Sequence, residues 1–173
     1  MIFQRKQTPI TIYLAAGTGI GSTRLSAFDA ALHDAGVFNY NLIILSSVIP
    51  ARAEIKEAKF HTKPGEHGNK LYCVLAEIRS DQVGKYIGAA LGWYQVEDDK
   101  RGIFVEFMEK GKTHKQVEEN LFRSVTDTLT EMCKSRNYKI NKDSFHIKMS
   151  IAKVEKDPTS ALVIAVYKTE GWS

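Results

Sequence analysis

The chain has 173 residues, 43% hydrophobic and 25% charged, which fits one globular domain with a sizeable core. Its formal net charge is +4 and its pI about 9.0, but Lys and Arg are spread out, so the charge reads as a solvated surface and not as a nucleic-acid footprint. No apolar stretch has the length of a membrane span or the form of a secretion signal, and the two distant cysteines, Cys73 and Cys133, read as reduced thiols of a cytoplasmic protein.

Residues 10–15 read as a first strand, followed by Gly17, Gly19 and Gly21. These glycines miss the dinucleotide fingerprint, because Ser22 stands where a third Gly is needed, and they lack a P-loop ending. A flexible strand-to-helix connection is expected there. A helix is predicted over 25–35: Ser22 or Thr23 can cap it, Leu25, Phe28, Leu32 and Ala35 share one face, and Gly36 stops it. Asp29 lies at the edge of that face, where a carboxylate is ordinarily just solvated.

Leu42, Ile43, Ile44 and Leu45 form a continuous apolar run, as in a strand buried on both faces. It runs into Ser46 and Ser47 ahead of Pro50. Read alone, these serines hydrogen-bond the turn at a strand end. Residues 51–69 are polar and irregular, with a turn at 63–68, and 71–79 return as a strand. Residues 82–94 suggest a short helix, since Gly84, Gly88 and Gly92 are spaced by four and fall near one helical face.

A charged turn at 98–101 leads into a strand over 102–108 that carries Glu106 amid Ile103, Phe104, Val105 and Phe107, with Glu109 nearer the next turn. By alternation alone Glu106 reads as an ordinary outward-facing strand residue. The clearest helix spans 113–136, with Thr113 and Gln116 as a capping box and Val117, Leu121, Val125, Leu129 and Met132 as its buried stripe. Residues 145–154 and 161–167 read as strands of a terminal hairpin. His33, His61, His67, His114 and His146 show no zinc spacing and read as surface residues. The order of elements is not a strict βαβ alternation, so stacked sheets with helices outside suit it best.

Several of these segments form a pattern. Leu25-Ser26-Ala27-Phe28-Asp29, then Ala35-Gly36, then Asn39-Tyr40-Asn41-Leu42, then Ser46-Ser47, then a strand bearing Glu106 follow one another at a set spacing. In this the chain resembles the pyruvoyl-dependent arginine decarboxylases over most of its length. The resemblance implies an α+β fold, a four-layer αββα sandwich of mainly antiparallel sheets, assembled as a homotrimer with sites between subunits. It implies self-cleavage between Ser46 and Ser47 into residues 1–46 and 47–173. Ser47 Oγ would attack the Ser46 carbonyl, the ester would eliminate to dehydroalanine, and hydrolysis with loss of ammonia would leave a pyruvoyl group at position 47.

That group would serve in place of pyridoxal phosphate, with no metal. A decarboxylase must hold the electron pair left by departing carbon dioxide, and no ordinary side chain does so. The implied reaction takes L-arginine through a Schiff base to agmatine and carbon dioxide. Glu106 corresponds to the proton donor, Asn41 to a residue lining the reactive group, Asp29 to the carboxylate that pairs with the guanidinium, and Leu25 to the same substrate wall. Bulky Phe38 and Tyr40 depart from the small or aliphatic residues common before Asn41 in the family, which bears on chain-length preference if they enter the pocket. A pyruvoyl decarboxylase for another amino acid, such as histidine, and an unprocessed non-catalytic trimer are the alternatives.

Overall fold

The structure, a computed structural model, describes residues 9–172. In chain order its elements are β1 (Thr11–Ile20), α1 (Arg24–Ala35), β2 (Asn41–Ile44), β3 (Val48–Ile49), β4 (Glu54–Glu57), β5 (Lys70–Ser80), β6 (Tyr86–Gln95), β7 (Gly102–Gly111), α2 (His114–Ser135), a 3-10 turn (Lys142–Ser144), β8 (His146–Lys153) and β9 (Thr159–Glu170). The strands form a five-stranded sheet in the order β2-β5-β9-β1-β4 and a four-stranded sheet in the order β3-β7-β6-β8. The fold is therefore α+β, with two helices and two sheets. Only β1–β4 and β2–β5 pair in parallel; the other ladders are antiparallel.

Apolar side chains of the two sheets meet face to face. Ile12, Leu14, Val74, Val163 and Ala165 of the five-stranded sheet pack against Ile49, Leu91, Trp93 and Phe104 of the other. The opposite face of the five-stranded sheet, through Leu162, Ile164 and Val166, receives Ala31, Leu32 and Ala35 of α1. The corresponding face of the four-stranded sheet packs against Val117, Leu121, Val125, Leu129 and Cys133 of α2. The helices predicted over 25–35 and 113–136 are present: Thr23 accepts from Ser26 N–H and Gly36 adopts φ 84 in α1, and Thr113 accepts from Gln116 N–H in α2, while the Gln116 side chain accepts from Lys112 N–H and so does not complete the expected capping box.

Several expectations are corrected. The glycines after residue 15 do not form a connection; β1 continues through Gly17 and Gly19 to Ile20. Their role is close packing, because a Cβ on Gly17 would lie 2.3 Å from the Ala31 carbonyl oxygen, and one on Gly19 would lie 2.3 Å from that of Ala27. Where α1 passes over Gly17 and Gly19 its facing positions carry only methyls. Ala27, Ala31 and Ala35 are buried with Leu32, Phe28 is half-buried, and Leu25 is 68% exposed and not part of the buried face.

Residues 86–95 form a strand, not a helix. A spacing of four returns to the same face in a strand as well as in a helix, so Gly88 and Gly92 still share a face. That face meets α2: added Cβ atoms would lie 2.6 Å from Val117 Cγ1 and 2.1 Å from Val125 Cγ1. The last two strands are not a hairpin, because β8 edges the four-stranded sheet while β9 lies inside the other. Thr159–Val166 is buried without a break, which suits the interior of a sheet and not one arm of an exposed hairpin. Finally, β2 is an edge strand with Asn41 and Ile44 exposed, and residues 54–57 of the irregular segment pair with β1.

Both cysteines are buried and unpaired. Burial pushes the Cys73 thiol up to about 12 and raises that of Cys133. All five histidines are exposed. Among the described residues no helix is long and apolar enough to cross a membrane.

The glycine contacts give a stability test. Gly19→Ala meets α1 backbone, whereas Gly88→Ala meets side-chain ends of Val117, Leu121 and Ile151. Gly19→Ala is expected to cost about 1–3 kcal/mol, and more than Gly88→Ala. Thermal unfolding of the two variants measures this; equal midpoints would contradict it.

Candidate active site

Ser46 and Ser47 lie where the chain passes from one sheet to the other. Leu45 N–H still bonds the Cys73 carbonyl of β5 at 2.8 Å, and Phe104 N–H of β7 already bonds the Ser47 carbonyl at 2.8 Å. Between these contacts Ser47 adopts φ 68, the left-handed region. For a residue with a Cβ that conformation costs about 1 kcal/mol or more, so the surroundings must impose it. The Phe104 bond fixes the Ser47 carbonyl, and the Ser47 hydroxyl donates to Glu106 Oε1.

Glu106 comes from the same strand as Phe104, two residues on, and therefore projects from the same face. Phe104, and Leu91 opposite Glu106 in the ladder, are buried between the sheets. Glu106 thus faces inward beside the apolar core, not outward as alternation alone suggested. Glu109 falls on the other face of β7 and is not part of this group.

Tyr167, at the end of the buried run of β9, reaches the same place from the five-stranded sheet. Its hydroxyl donates to the Val48 carbonyl at 2.9 Å, and its ring meets that of Phe104 at 6.4 Å between centroids. Burial, then the neighbouring Glu106 charge, pushes its phenol well above the usual tyrosine range. Sequence reasoning did not single it out. The available signal was a phenol closing the otherwise apolar run 161–166; a buried phenol normally finds a partner.

The other expected site residues lie elsewhere. Asn41 is exposed at the start of β2, with the strand between it and the serines, and its side-chain amide donates to the Gly68 carbonyl at 2.7 Å. Gly68 also accepts from Trp172 Nε1 at 2.8 Å. Glu66, two residues before it, accepts from the Tyr40 hydroxyl and from Thr169 Oγ1. Asn41 is therefore built into a clamped loop and makes no hydrogen bond to Ser47 within the chain. Phe38 and Tyr40 pack on the α1 side of the five-stranded sheet, away from Glu106. Asp29 and Leu25 are exposed on α1, across that sheet from Glu106. One chain thus brings together Ser47 and Glu106 but not Asp29, Leu25 or Asn41. Among the described residues no group of three or more His, Cys, Asp or Glu could hold a metal ion.

A model of the pyruvoyl-dependent arginine decarboxylase family matches residues 11–171 of this chain. The chain is 34% identical over 159 residues to the pyruvoyl-dependent arginine decarboxylase of Thermococcus kodakarensis, covering 92% of this chain and 95% of that protein. It is 36% identical over 160 residues to that of Pyrococcus abyssi, covering 92% and 94%. With that of Pyrococcus horikoshii it shares 32% over 159 residues, covering 92% and 95%.

The clamp beside Asn41 predicts an alkaline transition. The Tyr40 phenol is pushed up to about 12, first by burial and then by donating to Glu66. The fold thus favours the neutral phenol over its ionised form. Its stabilisation is complete below the ordinary tyrosine value of 10.0 and is lost as pH rises toward about 12. Urea unfolding should show Tyr40→Phe and the parent chain converging in stability across that window. A gap that stays constant with pH would contradict the assignment.

Proposed function

The chain belongs to the pyruvoyl-dependent arginine decarboxylase family, whose members are carbon–carbon lyases, and from that premise we propose that it cuts itself between Ser46 and Ser47 and converts L-arginine to agmatine and carbon dioxide. The observation that carries this reading is the Ser47 hydroxyl held on Glu106 at a strained crossover between sheets. A hydroxyl that must attack its own preceding carbonyl needs a base to take its proton, and Glu106 is in hydrogen-bond contact with it. The left-handed φ of Ser47 adds strain that cutting relieves.

In the cut, Ser47 Oγ bonds to the Ser46 carbonyl carbon, the peptide C–N bond breaks, and the proton passes by way of Glu106 to the freed nitrogen. Loss of the Ser47 α-proton then expels the Ser46 carboxylate and separates the pieces 1–46 and 47–173. Water replaces the nitrogen, which leaves as ammonia. The residues present fit a pyruvoyl group at position 47: Phe104 N–H holds the carbonyl that the group retains, and Glu106 lies beside the place the hydroxyl held. When formed, the group supplies a ketone that takes an amine and accepts the electron pair left by carbon dioxide. Glu106 would return a proton to the substrate α-carbon.

The position of Asp29 and Leu25 across the sheet supports a site shared between protomers. Ile44 and Val48 are each 57% exposed on the Ser47 side, and Leu25 is exposed beside Asp29 on α1. Two different patches of one chain meeting head to tail generate a ring where the rotation closes, and the family resemblance makes that ring a homotrimer. Asp29 of one protomer would pair with the guanidinium while Ser47 and Glu106 of another act on the α-carbon, with Asn41 lining the reactive group. The helices packed on the two outer faces fit one four-layer αββα domain. Buried, unpaired thiols agree with a cytoplasmic protein, and the reading includes no pyridoxal phosphate, metal, nucleic acid or membrane.

Purified protein incubated with single amino acids should release carbon dioxide from arginine; release from histidine and none from arginine would overturn the substrate. Glu106→Gln should slow both cutting and turnover, the latter by about 100-fold or more. Turnover near that of the parent would remove Glu106 from its role.

A further inference from the structure

A chain that cuts itself must keep hold of the end it creates. Before the cut, position 47 is fixed covalently on both sides; afterwards it hangs from Val48 alone. The strand that follows, β3, has two residues, paired only with Ile103 and Gly102 of β7. So short a ladder fixes an end weakly, because the entropy of ordering each residue is of the order of 1–2 kcal/mol. Val48 is itself 57% exposed and contributes little burial.

Two hydrogen bonds from outside β3 reach this end. Phe104 N–H holds the Ser47 carbonyl at 2.8 Å, and Tyr167 Oη holds the Val48 carbonyl at 2.9 Å. They come from different sheets. Phe104 shares β7 with Glu106, whereas Tyr167 belongs to β9, which pairs with both β5 and β1. Two carbonyls in succession, each held from a different sheet, leave the segment little freedom to swing or twist. Tyr167 makes no hydrogen bond to Ser47 or Glu106, so the chemistry above does not use it.

We propose that Tyr167 is a positioning residue whose hydroxyl ties the newly made N-terminus to the opposite sheet and keeps position 47 aligned with Glu106. The inference rests on the reading that the chain is cut after Ser46. The ring, against Phe104, is a packing element that Tyr167→Phe retains; the hydroxyl is the tether. Its donor proton is secure at working pH, because burial and the Glu106 charge both oppose ionisation.

Tyr167→Phe separates these roles. The cut should go to completion, since Ser47, Glu106 and the Phe104 contact remain. The KM for arginine should stay near that of the parent, while kcat falls about tenfold, the worth of one net hydrogen bond. Hydrogen–deuterium exchange of the peptide that begins at residue 47 should rise about tenfold in the cut variant. In the uncut Ser47→Ala background, where the chain is held from both sides, Tyr167→Phe should leave that exchange unchanged.

An unchanged kcat overturns the proposal. A loss of kcat without added exchange, or equal added exchange in cut and uncut backgrounds, also overturns it, the latter by making Tyr167 a general strut. Failure of Tyr167→Phe to fold in both backgrounds would make it a core residue and refute the tether. If the parent chain is never cut, the functional reading fails and the tether with it; if the parent is cut and active while the variant matches it, only the tether fails.

Discussion

The hydrogen bond between the Ser47 hydroxyl and Glu106 joins residues 59 positions apart, and the architecture around it converges on that contact. It needs β2 and β3 to belong to different sheets, so that the dipeptide between them spans the gap. It needs β7 to present Phe104 and Glu106 on one face, so that one strand grips both the carbonyl and the hydroxyl of Ser47. The stacked apolar faces supply the rest. The Glu106 carboxyl meets the hydroxyl at the partly buried edge of the inter-sheet core.

Close packing makes that arrangement rigid. Gly17 and Gly19 let α1 settle on β1, and Gly88 and Gly92 let α2 settle on β6. Each helix thereby stiffens the outer face of one sheet, while Ile12, Leu14, Trp93 and Phe104 fill the space between them. The same layering keeps the exposed face of α1 apart from the Ser47–Glu106 pair. Asp29 and Leu25 ride on α1, outside the five-stranded sheet, while Glu106 lies inside it. In the proposed reading these two surfaces carry two halves of one site, and self-association would join them.

The sequence exposed some of this and hid the rest for identifiable reasons. The stripe from Val117 to Leu129 and the Thr113 cap are local, periodic signals, and α2 follows them. The end of α1 at Gly36 was equally plain. The β6 strand was misread because a glycine spacing of four belongs to strand and helix alike. The pairing of β8 with β6, and of β9 with β1 and β5, is non-local, so adjacency suggested a hairpin that does not exist. Ser47 and Glu106 were singled out through resemblance to a family motif, and the structure brings them into contact; alternation had placed Glu106 outside. Tyr167 was missed because its partner is a backbone carbonyl 119 residues away, which leaves no trace in residue identities. Leu25 appeared to be core because it lies three and seven residues from Phe28 and Leu32, but the face α1 buries is centred on Ala27, Ala31 and Ala35, and Leu25 falls outside it.

The central claim is that the crossover serine turns its own peptide bond into the reactive ketone. Intact-mass spectrometry of the purified, denatured chain measures this directly. The account predicts two polypeptides, residues 1–46 with a free C-terminal Ser46 and residues 47–173 beginning in a ketone in place of the amine of Ser47. An active preparation that consists of one uncut chain, with Ser47 unmodified, would contradict it.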